Sequence, residues 1–235
     1  MSLSENLAGI RERMAEACRR AGRAESEVAL MAVSKMHPAA ALVEAHAAGL
    51  RLFGENRVQE WQEKSQVVGG LDGIEVHLIG PLQSNKAARA AEIFGAVDSV
   101  DSLKIAMRLN AAAAGLGKRL PVLVEVKLSH EASKHGIAAG ELEKMLGEMK
   151  QLEWLVPAGL MTVPPWSEDA EAARPYFREL RRLRDVSLAV CPTLTGLSMG
   201  MSNDFGVAIE EGSTCVRVGT ALFGRRSYPA MPTLS

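Results

Sequence analysis

The chain has 235 residues, is 47% hydrophobic but only 4% aromatic, and carries a formal net charge of -1. That length suits two small domains or one α/β barrel, and the charge balance leaves no basic footprint of a nucleic-acid binder. Its three cysteines, Cys18, Cys191 and Cys215, are odd in number and lack any CxxC or Cys/His spacing, which argues against a disulfide framework or a zinc site and fits a reducing cytoplasm.

The first predicted element is an amphipathic helix, NLAGIRERMAEACRRAG, ending near Gly22. Arginines and glutamates run through its middle, so it is neither a signal peptide nor a membrane span, and no membrane partner is expected. Short apolar runs then alternate with helical segments. The predicted strands are VALMAVS (28–34), RLFG (51–54), EVHLIG (75–80), AVDSV (96–100), PVLVEVK (121–127), WLVPAGLMT (154–162), TLTGLS (193–198) and TCVRVG (214–219). The helix-like stretches between them include HPAAALVEAHAAG, ENRVQEWQEKSQ, SNKAARAAEIFG, SLKIAMRLNAAAAG, AGELEKMLGEMK, SEDAEAARPYFRELRRLRD and SNDFGVAIEEG. Many start on Ser, Asn or a Pro-containing turn and close on Gly, the expected caps.

Such alternation demands a parallel sheet, because each parallel connection needs a crossover long enough for a helix. Eight units predict a closed (β/α)₈ barrel with an extra N-terminal helix, and no linker divides it, so residues 1–235 read as one domain. The rival is a doubly wound open sheet, whose GxGxxG phosphate signature is absent after the first strand.

Barrel enzymes place their sites at the C-terminal ends of the strands. Here those ends carry Lys35, then Glu55 and Asn56, Gly80, Ser99 and Asp101, Lys127, Met161 and Thr162, Ser198, and finally Arg217 with Gly219 and Thr220. The last two ends are the most specific. GLSMGMSND and RVGTALFG each combine glycine with hydroxyls and lead into a helical segment, where barrels often bind phosphate against unpaired backbone N–H groups. Ser198, Met199 and Gly200 with Gly219 and Thr220 are therefore a candidate phosphate cradle, although glycines in such loops also serve as plain turn residues. Arg217 shares a strand face with Gly219. Once buried it needs an acceptor, either an internal carboxylate such as Asp101 or Glu125 or a group on a ligand.

A phosphate cradle, an arginine seeking an acceptor and a lysine ending the first strand together describe pyridoxal 5'-phosphate held as a Schiff base. AVSKMHP, FGENRVQE, HLIGPLQSNK, SKHGI, GLMTV, GLSMGMSNDF and STCVRVGTALFGRR, in that order, resemble the pyridoxal phosphate homeostasis protein family, also called the YggS or PROSC family, from about Val28 to Arg225. The resemblance implies an alanine racemase N-terminal-like barrel of the fold-type III class, without established turnover, that buffers or delivers the cofactor. It places the cofactor lysine at Lys35, the arginine facing the pyridine nitrogen at Arg217, and phosphate contacts at Ser198, Gly219 and Thr220, with Asn56 and Met199 as further cofactor-binding candidates. Lys86 and Lys134, which by themselves read as ordinary exposed lysines, become under this resemblance candidates for transient cofactor capture or a secondary phosphate contact, and apo pyridoxal phosphate enzymes become candidate partners; separately, a monomer is expected.

The chain departs from the family pattern in VEVKLSHEASKHG, where Lys127 takes the place of a usual asparagine. Lys127 either brings a second ammonium near the cofactor or snorkels to solvent. The alternative function is an amino-acid racemase or lyase on the same barrel, and a sugar-phosphate barrel enzyme is a more distant one. Two-sided proton exchange needs a base opposite the lysine; in the related racemases a tyrosine supplies it, and here Tyr176 and Tyr228 sit at no strand end. His77 begins the third strand and reads as a structural histidine rather than a base.

Overall fold

Helix α1 (Leu3–Ala21) starts where Ser2 and Glu5 form a reciprocal capping box and stops where Gly22 turns into the left-handed region at φ 64, the combination that satisfies both sets of unpaired helix-end groups. The computed structural model describes residues 2–129 and 135–224. Beyond α1 the strands are β1 (Ala29–Val33), β2 (Leu52–Glu55), β3 (Glu75–Leu78), β4 (Ala96–Val100), β5 (Leu120–Lys127), β6 (Ile137–Ala138), β7 (Leu155–Met161), β8 (Gly196–Ser198) and β9 (Cys215–Val218). The helices are α2 (Ala39–Ala47), α3 (Val58–Val68), α4 (Ala87–Ile93), α5 (Leu103–Gly115), α6 (Leu142–Met149), α7 (Arg174–Ser187), α8 (Phe205–Glu210) and α9 (Thr220–Phe223).

The hydrogen-bonded order β4-β3-β2-β1-β9-β8-β7-β5 is closed by β4 pairing with β5, and every pairing is parallel. This is the predicted barrel, and closure excludes the open-sheet rival. Each predicted strand supplies one barrel strand. Their C-terminal ends point to one mouth because all run the same way.

Differences from the sequence reading have local causes. The seventh predicted strand, 193–198, pairs only over Gly196–Ser198, because Thr193 is drawn aside by its own hydroxyl, which donates to the Pro157 carbonyl at 2.7 Å. Helix α7 begins at Arg174 with Pro175 in its first turn, the position where a missing N–H costs nothing; the preceding Ala170–Ala173 is a 3₁₀ turn. Strand β6 was not foreseen: two residues, Ile137 and Ala138, pair with Val126 and Lys127 outside the barrel circuit.

Helix α1 packs on the end of the barrel chain. Its buried face is Leu3, Leu7, Ile10, Met14, Ala17 and Cys18, the three-and-four spacing of one helix stripe. Polar ties fix the docking: Asn6 Nδ2 donates to the Leu222 carbonyl at 2.9 Å, and Arg23 donates to the carbonyls of Ile209 and Ser213 at 2.9 and 2.8 Å. The elements after β8 and β9, which carry one side of the mouth, are thereby braced.

Candidate functional site

A cavity of about 530 Å³ opens at the C-terminal ends of the strands, lined by Lys35, Asn56, Gly80, Glu125, Arg217, Gly219 and Thr220 among others. The volume lies in the range of small-molecule sites. Lys35, half-buried, stands just beyond β1 in a turn closed by the His37 N–H donating to the Ser34 carbonyl at 3.0 Å. Asn56 follows β2. A methyl group on Gly80 would come within 2.4 Å of the Asn56 carbonyl oxygen, so only glycine lets the loop after β3 close on Asn56 at this rim.

Arg217 is 4% exposed. Its Nη1 donates to Ser198 Oγ at 2.7 Å and its Nη2 to the Thr162 carbonyl at 2.9 Å, so the internal acceptor is a hydroxyl and a carbonyl, not Asp101 or Glu125. These bonds use two of the five guanidinium N–H donors and leave donors for a group in the cavity. Burial lowers its pKa from the usual arginine value, while Asp98, Glu125 and Asp204 favour the charged form.

Of the predicted cradle, Gly219 and Thr220 line the cavity, whereas Ser198 and Met199 are fully buried and do not. The reason is one more residue of sheet pairing: the Met199 N–H donates to the Cys215 carbonyl at 3.2 Å, so the chain leaves the barrel later than the composition suggests. Gly200 then turns at φ 94, and Met201, Ser202, Asn203 and Asp204 reach the mouth. Asp204 closes this loop by accepting the Met201 N–H at 2.6 Å. Burial raises its pKa, against the pull of that N–H and of Arg217. The serine, asparagine and aspartate of SMGMSND were the signal for this second half of the loop.

Other candidates fall elsewhere. Lys127 is half-buried and does not line the cavity; Lys86 lines a neighbouring cavity that shares Asn56 and Pro81 with the first. Asp101 accepts the Ser102 hydroxyl at 3.2 Å. Tyr176 lies on α7, and Lys134 and Tyr228 lie outside the described residues. His77 is held on both ring nitrogens, Nδ1 3.0 Å from Asp98 Oδ1 and Nε2 3.0 Å from Glu75 Oε1. Trp166, 73% exposed at the rim of the cavity, was not singled out in sequence.

Comparison with known proteins places this geometry. Residues 6–227 match the model of the alanine racemase N-terminal domain. A pyridoxal phosphate homeostasis protein of Pseudomonas aeruginosa is 46% identical over 230 residues, covering 97% of this chain and 98% of the relative. The chain belongs to the pyridoxal phosphate homeostasis protein family. Among solved structures, PipY of Synechococcus elongatus with pyridoxal phosphate bound superposes with a TM-score of 0.85 at 40% identity, over 95% of this chain and 100% of that one. Alanine racemase of Clostridium difficile superposes at 0.69 with 16% identity and shares the fold, this chain spanning 57% of its length. Among the described residues no helix is long and apolar enough to cross a membrane.

Proposed function

We propose that this chain binds pyridoxal 5'-phosphate at the barrel mouth and serves its homeostasis, as a one-domain cytoplasmic monomer that buffers the cofactor and passes it to apo enzymes. The observation that carries the reading is the pairing of Lys35 with Arg217 across one cavity: an amine at the end of β1 and a buried guanidinium with donors to spare. When bound, pyridoxal phosphate supplies an aldehyde with which a lysine amine condenses and a pyridine nitrogen that can accept a hydrogen bond.

The residues present fit that group. Lys35 supplies the amine and Arg217 the donor for the ring nitrogen. Gly219, Thr220 and the loop through Ser202 and Asn203 offer backbone N–H groups and hydroxyls to the phosphate. Ser198 acts by holding Arg217, Met199 anchors the start of the loop, and Asn56 lines the same cavity. An arginine, rather than a carboxylate, toward the pyridine nitrogen would keep that nitrogen unprotonated and weaken its pull on electrons, but racemases of the same barrel type work with such an arginine, so Arg217 by itself does not decide between storage and turnover. The homeostasis naming of the relatives supports the same reading.

The test is an absorbance spectrum of purified protein with added cofactor, followed by borohydride reduction and peptide mapping. The expected result is a yellow protein with the cofactor fixed on Lys35, transfer of cofactor to an added apo enzyme, and no catalytic exchange of α-protons across a panel of amino acids in deuterated water. A colourless protein that takes up no cofactor overturns the reading, and rapid exchange replaces it with a racemase or lyase.

A further inference from the structure

Ser34 and Met36, on either side of Lys35, are both tied to one buried cluster that the cavity itself does not contain. Ser34 Oγ donates to Glu55 Oε1 at 2.7 Å. Lys64, on α3, donates from a single ammonium to the Ser34 carbonyl at 2.8 Å, to Glu55 Oε1 at 2.7 Å and to Glu60 Oε1 at 2.7 Å. That same Glu60 oxygen accepts the Met36 N–H at 2.5 Å. One lysine thus grips the peptide before Lys35 directly and the peptide after it through Glu60.

The backbone here does not rest where it would by itself. Met36 has φ 63, the sole positive φ at a non-glycine position among the described residues, a conformation costing a side-chain-bearing residue on the order of 1 to 2 kcal/mol. Its side chain is half exposed, so apolar burial does not explain the strain. Met36 is the third residue of the turn closed by His37 and Ser34, the position where a positive φ occurs in turns, and the Glu60 acceptor at its N–H holds the turn in that form. Ser34 and Glu55 are fully buried and Lys64 is 8% exposed, and Glu55 Oε2 is buried without a partner. A buried ammonium between two carboxylates is a poor source of stability compared with apolar packing, so its value lies in geometry.

We propose that Lys64, together with Glu55 and Glu60, is the positioning device of Lys35, locking the turn from Ser34 to His37 so that the Lys35 amine is presented to the cofactor aldehyde. The inference rests on the pyridoxal phosphate reading above. In the step it serves, the Lys35 nitrogen adds to the aldehyde carbon, the carbon–oxygen double bond is replaced by a carbon–nitrogen one, and one water leaves, with no change of oxidation state. Lys64, Glu55 and Glu60 touch no reacting atom. Their contribution is a near-attack placement of the amine, which alone can change a rate by orders of magnitude.

The test separates seating from attachment in full-length protein. Pyridoxine 5'-phosphate, which carries an alcohol in place of the aldehyde, reports seating alone. Attachment is timed by mixing with pyridoxal phosphate, quenching with borohydride and measuring mass, across a range of pH. Lys64→Met and Glu60→Gln are expected to bind the analogue within twofold of wild type, to attach the cofactor at least tenfold more slowly, and to displace the pH profile of attachment. Lys64→Arg should restore most of the rate. Should Lys64→Met not fold, Glu60→Gln decides, because its side chain is 22% exposed and is not a core group. Unchanged attachment rates in Glu60→Gln and Lys64→Met overturn the inference. So does a parallel loss of analogue binding and attachment that Lys64→Arg does not rescue. Wild-type protein that binds the analogue but fixes no cofactor overturns the underlying reading instead, and is seen without any variant.

Discussion

Arg217 Nη1 lies 2.7 Å from Ser198 Oγ, and this contact joins β9 to β8 behind the cavity. With the Thr162 carbonyl 2.9 Å from Nη2, the guanidinium is held from two neighbouring strand ends while it lines the cavity. Residues on three different strands and their exits thus determine the direction of one charge. Ser198, expected at the phosphate cradle, supports the arginine through this bond.

Replacing Ser198 by alanine removes that support. A buried charged donor left without its partner costs about 1 to 3 kcal/mol, and Arg217 is then held through the Thr162 carbonyl alone. The expected outcome for Ser198→Ala is a lower melting temperature and cofactor affinity weakened by about tenfold, in keeping with that energy, with attachment to Lys35 retained. Titration by absorbance together with a thermal melt checks both; affinity equal to wild type would show that Arg217 keeps its aim without the hydroxyl.

Gly200→Ala strikes the same loop through its backbone. The position has φ 94, and an added Cβ would lie 2.5 Å from the Ala208 Cβ on α8. Strain of about 1 to 3 kcal/mol from the left-handed backbone adds to the clash. The variant should be destabilised by at least about 2 kcal/mol, and its affinity for inorganic phosphate should fall more than Ser198→Ala lowers it, because the chain from Met201 to Asp204 is displaced as a unit. Urea unfolding and phosphate protection of the melt measure the two effects.

Lys127 should matter little to the cofactor. It ends β5 but does not line the cavity, so the departure from the family's asparagine does not place a second ammonium there. Lys127→Asn is expected to leave cofactor affinity and attachment within about twofold of wild type, because the half-buried side chain stands outside the cavity lining. A tenfold change in either would place the side chain in contact with the ligand.

The barrel was legible because its signals are local and repeated: each apolar run ends on a polar residue, and each crossover is long enough for a helix. Lys35, Asn56, Arg217, Gly219 and Thr220 could be placed at the mouth from strand ends alone. What could not be read was pairing between distant elements. Nothing in sequence says that Lys64, a residue of an ordinary-looking helix, reaches back to Ser34, or that Met199 continues the sheet and carries Ser198 behind the cavity. Side-chain partners across a barrel depend on register, and one residue of register exchanges the inside for the outside.

His77 shows the same limit and yields a prediction about pH. Sequence marked it as structural; the fold gives it carboxylates on both ring nitrogens, Asp98 and Glu75, and with both carboxylates ionised both nitrogens donate. Burial alone would lower its pKa, but the hydrogen bonds to Asp98 and Glu75 and their charges outweigh burial and raise it from 6.5 to about 9. The folded value exceeds the unfolded one, so the contribution to stability is complete below pH 6.5 and disappears as pH rises through about 9. Its size is on the order of 3 kcal/mol, because a tenfold change in proton affinity corresponds to about 1.4 kcal/mol. His77→Gln lacks that titration while keeping a group able to hydrogen-bond. The stability gap between wild type and His77→Gln, measured by urea unfolding, should therefore narrow by about 2 to 3 kcal/mol between pH 7 and pH 10. A gap independent of pH over that range would mean that the ring is neutral in the folded protein and that one of its two carboxylate partners is protonated instead.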